Sequence, residues 1–541
     1  MALELRLSTS SHDPSSPAAG RIATYVECFW QRPRGLTSVV VFWSLLLAMV
    51  VSRACVAMYG MRDFAPDGFL VLDGAWRMLN GQRPHLDFNS IIGPAAYLPT
   101  VIGFKLASNS AAGFGYGQAL VGLVLGIWAY LLGAKLYEVP RAIYALCVAA
   151  IAVSPGVLGL SPFALSPAMT YNRYTYALLG VLLLECLSTE VGSELIAGFS
   201  SGALIAILAF TKMTGLFAGV ALFVVLITQR TQTYRRWVGL AAGAVSVGLC
   251  FLGYLRFGLL AVIRDLAIIV EAIRFRTDLY LLNSIAIDAG VALLLTFCAC
   301  SSLAESGNPK AARRVLVAGI SVVAASVLLI FGNYQPSELP LVGLLLLMVG
   351  QRLVADRRST SAAGRGMVSV VIGGGAIFAG ISIFSAIASL GTAQWVMMHS
   401  VRAAPRFQAP ALRQFVPVKG ETGYTDFVND GFTLLQQYRK PGERVMALDF
   451  TNPFSYGLWI PPAPGGSTNL FYDGTFNAAH KVSPERLFGA ADIVMLPKRF
   501  TDTNSQFTVP AIYGPYLESH FRLVGESSQW KLYRRLSVGT G

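Results

Sequence analysis

Three carboxylates are the groups best suited to chemistry in this sequence: Asp67, Asp73 and Asp87. They lie in residues 63–94, a segment too apolar and aromatic for an ordinary solvated loop, shortly after the first long apolar run. A carboxylate held beside a hydroxyl group can act as a general base and turn that hydroxyl into a nucleophile. We therefore predict that Asp67 and Asp87 are catalytic. The alternatives are a helix N-cap for Asp67 and a turn for Asp87.

Cations on the same, external side of the membrane are predicted to bind a phosphate group. Lys212 lies in a short turn between two apolar runs, where it either snorkels to the headgroup layer or neutralises an anion. Arg173 stands at the start of another apolar run and is a second candidate phosphate ligand. The other residues that we predict to bind substrate are Tyr171, Asp73, His85 and Arg274.

Amphipathic helices are predicted to lie at the membrane surface and position these groups. The first carries an apolar stripe at helical spacing, formed by Phe69, Leu72, Trp76 and Leu79. Asp67 precedes this helix and Asp87 follows it, so both can face one cleft. Asp73 is predicted to face solvent or to pair with Arg77, four residues on. Another interfacial helix, in residues 258–277, has one polar face, whose alternative role is headgroup binding. That face holds Arg264, Glu271 and Arg274.

The composition indicates a polytopic membrane protein. Of 541 residues, 54% are hydrophobic and 13% are charged, about half of the roughly 25% charged residues of soluble domains. The net charge of +13 comes from Lys and Arg that recur in short loops between apolar runs. That distribution follows the positive-inside rule and does not indicate nucleic-acid binding.

About eleven transmembrane helices are predicted, with the N-terminus in the cytoplasm and the C-terminus outside. The candidate spans are residues 38–58, 116–136, 141–160, 172–188, 194–211, 214–229, 236–256, 282–302, 314–332, 338–353 and 367–390. The alternation of basic loops requires that residues 95–107 do not cross the membrane, and this run is short enough for an interfacial helix. The first external loop then covers residues 60–115.

Three regions follow from these patterns. Residues 1–36 are predicted to be a disordered cytoplasmic tail, and residues 37–390 the transmembrane domain. Residues 391–541 are predicted to be a small extracytoplasmic α/β domain, periplasmic in a Gram-negative bacterium. Its predicted elements are a helix at 424–440, buried strands at 445–450 and 491–498, and a closing hairpin from 521–524 and 530–535.

Metal and nucleotide sites are not indicated. The five histidines show no metal-ligand spacing, and none of the seven cysteines follows Cys300. No glycine-rich nucleotide motif is convincing. A site outside the membrane would also lack cytosolic nucleotide sugars, which favours a lipid-linked donor.

The sequence resembles the GT-C superfamily of membrane glycosyltransferases, in particular the protein O-mannosyltransferase and lipid A aminoarabinose transferase types. The resemblance rests on Asp67, the run Leu-Asn-Gly-Gln-Arg-Pro at 79–84, Asp87-Phe88 and Gly93-Pro94, and on the Lys-Met-Thr-Gly turn at 212–215. It implies a polyprenyl-phosphate sugar donor, an inverting displacement and an acidic first-loop residue as base, which maps onto Asp67.

The mannosyltransferase-type pattern has Asp-Glu where this chain has Asp67-Gly68. Asp87 is the candidate for the second carboxylate, and dependence on a divalent cation, Mg or Mn, stays open.

The predicted function is therefore transfer of a sugar from a polyprenyl-phosphate donor to an extracytoplasmic glycan, lipid or protein acceptor, at the inner (plasma) membrane among membrane lipids. A flippase or transporter of lipid-linked glycans is the main alternative, and Asp288, an acid inside a predicted span, is the best evidence for it. A polymerase or ligase of such glycans and a non-catalytic scaffold are further alternatives.

Overall fold

The computed structural model describes residues 35–157, 161–187, 193–229, 233–272, 279–305, 307–331, 340–355, 362–399, 404–418 and 421–536. The predicted N-terminal tail lies almost wholly outside these residues and stays a prediction. Arg274 also lies outside the described residues.

The first two thirds of the chain are almost entirely helical. The helices are α1 (Leu36–Val56), α2 (Asp67–Leu79), α3 (Pro94–Leu106), α4 (Ala112–Leu132), α5 (Glu138–Val153), α6 (Thr170–Leu187), α7 (Glu194–Thr211), α8 (Met213–Gln229), α9 (Tyr234–Tyr254), α10 (Leu259–Ala272), α11 (Leu279–Glu305), α12 (Pro309–Phe331), α13 (Pro340–Ala355) and α14 (Ala362–His399). A short strand, β1 (Met58–Met61), directly follows α1. Nearly every predicted span has a helix at its place, because long apolar runs without Gly-Pro breaks favour helices.

Six of the described helices are long and apolar enough to cross a membrane. They are α1, α4, α7, α9, α12 and the Val368–His399 part of α14. Shorter apolar helices occupy Met213–Val225, Ala289–Glu305 and Pro340–Val354. The polytopic helical class is confirmed, whereas the predicted number of eleven spans is not. α3 has only 13 residues, less than the roughly 20 that a span requires.

Helix α6 forms the centre of the bundle, since all of its residues are buried. Around it, close approach of backbones depends on small residues. A Cβ on Gly198 of α7 would collide with the Arg236 carbonyl of α9, and a Cβ on Gly239 would collide with the Leu195 carbonyl. Small residues at such crossings allow the two helices to pack closely.

The C-terminal region folds into a small α/β domain. Its elements are β2 (Phe415–Pro417), α15 (Thr422–Tyr438), β3 (Val445–Ala447), α16 (Phe454–Gly457), α17 (Pro484–Phe488), β4 (Ile493–Pro497), α18 (Ser505–His520), β5 (Phe521–Glu526) and β6 (Trp530–Arg535). Four strands form a sheet in the order β3-β4-β6-β5, with β3 and β4 parallel and the other pairs antiparallel. The fully buried Trp530 packs on Phe427 of α15 and on Phe454. The predicted helix, strands and hairpin are confirmed.

The two regions are joined by a strand pair that the sequence did not predict. β1, which begins the first loop, pairs in parallel with β2, which begins the C-terminal domain. Met58 lies opposite Phe415 and Tyr59 opposite Val416. The first loop is therefore built into the C-terminal domain, and this junction holds the candidate site.

Candidate functional site

Helix α2 lies beneath the C-terminal domain, not at an open membrane surface. All of its residues from Gly68 to Arg77 are buried, so the expectation of an apolar stripe at the interface is wrong. The Trp76 Nε1 donates to the Ile460 carbonyl at 2.8 Å. The amphipathic pattern correctly predicts a helix. Both faces of that helix are covered, because its polar face contacts backbone carbonyls of the C-terminal domain.

Asp73 and Arg77 form a buried ion pair on α2. The Arg77 Nε lies 2.7 Å from the Asp73 Oδ2, and both side chains are almost fully buried. Pairing is therefore confirmed and the solvent-facing alternative is wrong. The Arg77 Nη1 also donates to the carbonyls of Ala463 and Gly465, at 3.0 and 2.9 Å. Burial raises the pKa of Asp73, and Arg77 opposes that effect. Because Arg77 also donates to these two carbonyls, the pair attaches α2 to the C-terminal domain.

Asp67 is the first residue of α2, and the N-cap position belongs to Pro66. Although Asp67 is partly exposed, protein crowds its carboxyl group. Burial, followed by the nearby Glu421 carboxylate, raises the pKa of Asp67 to about 7. A base is most effective when its pKa lies near the working pH. Asp67 is thus suited to accept a proton at neutral pH.

The C-terminal domain holds the turn before Asp67 from two sides. The Phe64 N–H donates to the Glu421 Oε1 at 3.0 Å, and the Thr451 hydroxyl donates to the Pro66 carbonyl at 3.1 Å. Tyr424 of α15 lies within electrostatic range of Asp67 and Glu421. The position of the Asp67 carboxyl group therefore depends on side chains that lie more than 350 residues away in sequence.

Lys212 lies in the turn between α7 and α8, beside the same region. Its Nζ is 5.0 Å from the centre of the Tyr171 ring and 3.4 Å from the Asn172 Oδ1. Burial lowers the pKa of Lys212 to about 7. The Gly93 N–H donates to the Thr211 carbonyl at 3.0 Å, so the first loop is anchored at this turn.

Tyr171 connects the predicted base with the predicted cation. Its side chain lies within electrostatic range of Asp67, and Lys212 stacks above its ring. The structure thus brings together three predicted site residues from three separate elements: the start of α2, the start of α6 and the α7–α8 turn. A proton acceptor and a cation near one aromatic ring can together bind a sugar and its phosphate.

Arg173 points into the bundle. It is buried and donates to the Gly156 carbonyl at 2.5 Å and to the Thr170 hydroxyl at 2.9 Å. Its terminal nitrogens therefore hold the segment before α6, and Arg173 does not join Lys212 among the contacts described.

Asp87 and His85 occupy a tight segment of the first loop. The Asp87 Oδ2 accepts from the Arg83 N–H at 2.7 Å, which is the turn role considered as its alternative. The His85 Nδ1 lies 3.2 Å from the Asp265 Oδ2 on α10. The Arg486 Nη1 contacts the Asp265 Oδ1 at 2.7 Å. His85 is therefore bound to Asp265 and not to Asp87.

Several residues at this junction were missed. Asp449 lies two residues after strand β3 and inside the strand predicted at 445–450, and a carboxylate within an otherwise apolar strand was a signal that the sequence offered. Burial raises the pKa of Asp449 to about 6, and its Oδ2 accepts from the Thr501 hydroxyl at 2.6 Å. Glu421 and Asp265 gave no local signal, because their importance depends on which distant segment they meet.

The described residues provide no set of ligands for a metal centre. Within the residues described, no group of three or more His, Cys, Asp or Glu side chains has an arrangement that could hold a metal ion. The divalent cation, Mg or Mn, that the family resemblance leaves open therefore has no assigned ligands here.

Comparisons with known proteins identify two similar structures. No protein-family model matches the chain, and no curated protein matches it. A crystal structure of ArnT from Cupriavidus metallidurans bound to undecaprenyl phosphate is 15% identical, covering 94% of this chain and 100% of that chain, with a TM-score of 0.48. The apo structure of the same protein is also 15% identical, covering 92% and 98%, with a TM-score of 0.47.

At this identity and these TM-scores, the likeness does not define the site or the reaction.

Proposed function

We propose that this chain is an integral-membrane glycosyltransferase that moves a sugar from a polyprenyl-phosphate donor to an acceptor hydroxyl outside the membrane. The observation that carries this proposal is the placement of Asp67 and Lys212 around Tyr171, where the bundle, the first loop and the C-terminal domain meet. One group is suited to take a proton and the other to hold a phosphate.

In the proposed reaction, the Asp67 carboxylate accepts the proton of the acceptor hydroxyl. The acceptor oxygen attacks the anomeric carbon of the sugar, and the bond between that carbon and the phosphate oxygen breaks. The bonding electrons leave with the phosphate, which becomes a monoester. Attack opposite the leaving group inverts the configuration at the anomeric carbon.

Lys212 stabilises the departing phosphate. The negative charge on the phosphate increases as the bond breaks, so an ammonium group there binds the transition state more strongly than the donor, and this difference raises the rate. Tyr171 supports the ammonium with its ring face at 5.0 Å.

The C-terminal domain is the proposed acceptor side of the site. Glu421, Tyr424 and Thr451 surround the turn before Asp67, so an acceptor glycan, lipid or protein would approach the base past them. This arrangement requires the C-terminal domain to lie outside the membrane and the N-terminus to lie in the cytoplasm. We propose that orientation, in the inner membrane, together with the function.

The test is complementation of a deletion strain. Envelope glycans and glycolipids are profiled by mass spectrometry after restoring the wild type, Asp67→Asn, or Asp426→Asn as a matched control on the exposed face of α15. We expect the wild type and the control to restore a missing sugar, and Asp67→Asn to fail at equal protein level. Full restoration by Asp67→Asn would refute its role as the base and make Asp87 the next candidate.

The same experiment separates the transferase from its main alternative. A flippase deletion would leave complete lipid-linked glycan on the inner face, whereas a transferase deletion leaves the donor unused and the acceptor unmodified. The side chain of Asp288, the residue that favours a flippase, lies outside the described side chains.

A further inference from the structure

Two arginines are buried together near the ends of α1 and α6 that adjoin the first loop. Arg53 of α1 is 0% exposed and Arg173 of α6 is 2% exposed. They lie within electrostatic range of each other. The backbone of α4 approaches closely here, since a Cβ on Gly115 would lie 3.0 Å from the Arg53 carbonyl oxygen.

Neither guanidinium group is paired with a carboxylate within the described ranges. The Arg53 Nε donates to the Gln118 Oε1 and its Nη1 to the Ala57 carbonyl at 2.6 Å. Arg173 donates to the Gly156 and Ser166 carbonyls and to the Thr170 hydroxyl. Two positive charges thus lie in a desolvated region where the acceptors among the described residues are all neutral. Buried charges ordinarily require a counter-charge.

The same cluster contains hydrogen-bond donors without a partner among the described residues. They are the Gln118 Nε2, the Arg173 Nε and the Tyr174 hydroxyl. Each belongs to a residue at least nine-tenths buried, and Tyr174 lies within electrostatic range of both arginines. Buried polar atoms are normally satisfied. A buried water would satisfy some of these donors but would not neutralise the charges.

We propose that Arg53, Gln118, Arg173 and Tyr174 form a buried anion site that takes a phosphate group. A phosphate offers several acceptor oxygens and negative charge, which matches unpartnered donors beside two guanidinium groups. The site lies between helices of membrane-spanning length, so the phosphate of a polyprenyl lipid is the expected source, and free phosphate is the other source with the same chemistry. Tyr171 and Tyr174 are one helical turn apart on α6, so this site adjoins the residue that Lys212 contacts but is formed by different side chains. The anion site does not depend on the proposed transferase activity.

The test is the thermal unfolding midpoint of the full-length protein in zwitterionic lipid nanodiscs, titrated with polyprenyl phosphate, polyprenol or inorganic phosphate. A ligand that binds only the folded state raises this midpoint. We expect polyprenyl phosphate to raise it and polyprenol, which lacks the phosphate, to have no effect. A response to inorganic phosphate that is lost in the same variants would support the site and assign it to free phosphate.

The decisive variant is Gln118→Glu, which places a carboxylate beside Arg53. It is expected to raise the midpoint of the ligand-free protein and to weaken phosphate binding at least about tenfold, because the protein then supplies its own counter-charge. The matched control is Gln82→Glu. Gln82 accepts from the buried Arg77 at 3.1 Å, but Arg77 is already paired with Asp73, so phosphate binding should not change.

Two further variants keep the proposal testable. Lys212→Met should retain a phosphate response that Gln118→Glu weakens at least about tenfold, which distinguishes this site from the proposed donor site. Tyr174→Phe deletes one hydroxyl with little change in volume and should weaken binding several-fold. The proposal is overturned if Lys212→Met alone abolishes the response, or if Gln118→Glu and Tyr174→Phe both bind phosphate as the wild type does.

Discussion

Removing the charge of Glu421 is expected to shift the acidic limb of the pH–rate profile and leave the alkaline limb in place. Asp67 must be ionised to act as a base, and its pKa of about 7 is set by burial first and by Glu421 second. Lys212 must be protonated to hold a phosphate, and its pKa is also about 7. In the free enzyme, which kcat/KM reports, activity requires both states at once.

These values predict a narrow bell centred near pH 7. At the centre about half of each group is in its active state. One pH unit away, one group falls to roughly a tenth and the other rises to roughly nine tenths, so kcat/KM falls to about a third of its maximum. Two units away it falls to about one twenty-fifth. In kcat the alkaline limb should lie higher, because a bound phosphate favours the ammonium form of Lys212.

Glu421→Gln keeps an oxygen that can accept from the Phe64 N–H and removes only the charge. Like charges disfavour ionisation, so the variant lowers the pKa of Asp67 and moves the acidic limb to lower pH. The pKa of Asp67 rises from 3.8 to about 7, a difference of about 3.2, and Glu421 is the smaller of the two causes. The limb should therefore move by at most about 1.6 pH units, which is half of that difference.

The assay follows release of polyprenyl phosphate from lipid-linked sugars extracted from the native membranes, by mass spectrometry, between pH 5 and 9. The control is Asp426→Asn, which should leave both limbs unchanged. Asp426 is an exposed carboxylate on α15, the helix that begins just after Glu421. A flat profile in the wild type would refute the paired roles of Asp67 and Lys212. An alkaline limb that moves in Glu421→Gln would show that Glu421 acts elsewhere.

Three further predictions concern single residues. Lys212→Met should lower kcat/KM by about 10²–10³-fold in the same assay, in line with the loss of one transition-state ligand; an activity near that of the wild type would exclude Lys212 from the site. Asp73→Asn should destabilise the protein by about 3–5 kcal/mol, because it leaves Arg77 buried without its counter-charge. The control is Glu271→Gln, which removes a solvent-exposed pair with a histidine and should change stability by about 1 kcal/mol or less. Thermal unfolding measures both effects, and equally small effects would contradict the role of the buried pair. Asp67→Asn should raise the unfolding midpoint at pH 8 relative to the wild type and change it little at pH 4. The folded wild type holds the proton up to about pH 7 while the unfolded chain releases it near 3.8, so wild-type stability falls as pH rises through that window; a variant less stable than the wild type at pH 8 would contradict this.

Local patterns predicted the secondary structure well. The helices of the bundle, the helix at 424–440 and the strands of the C-terminal sheet all follow from periodicity within a few residues. Their environment was harder to predict. Helix α2 has the pattern of an interfacial helix, yet its polar face is buried, because Arg77 and Trp76 donate to carbonyls between 460 and 465.

The candidate site was predictable in part for a similar reason. Asp67, Tyr171 and Lys212 could be found because a carboxylate, a tyrosine and a lysine at the ends of apolar runs are unusual enough to notice. Glu421 could not, since its effect on Asp67 exists only when two segments more than 350 residues apart are joined.

By itself, the sequence determined that this is a helical membrane protein with a first loop rich in carboxylates and a small α/β domain after the last span. Those properties depend on composition and on spacing within short windows. The tertiary structure alone decided that β1 pairs with β2, that His85 meets Asp265 and not Asp87, and that two arginines are buried together with no carboxylate partner among the residues that the structure describes. Such contacts join residues whose separation in sequence carries no information about their distance in space, so only the packed chain reveals them.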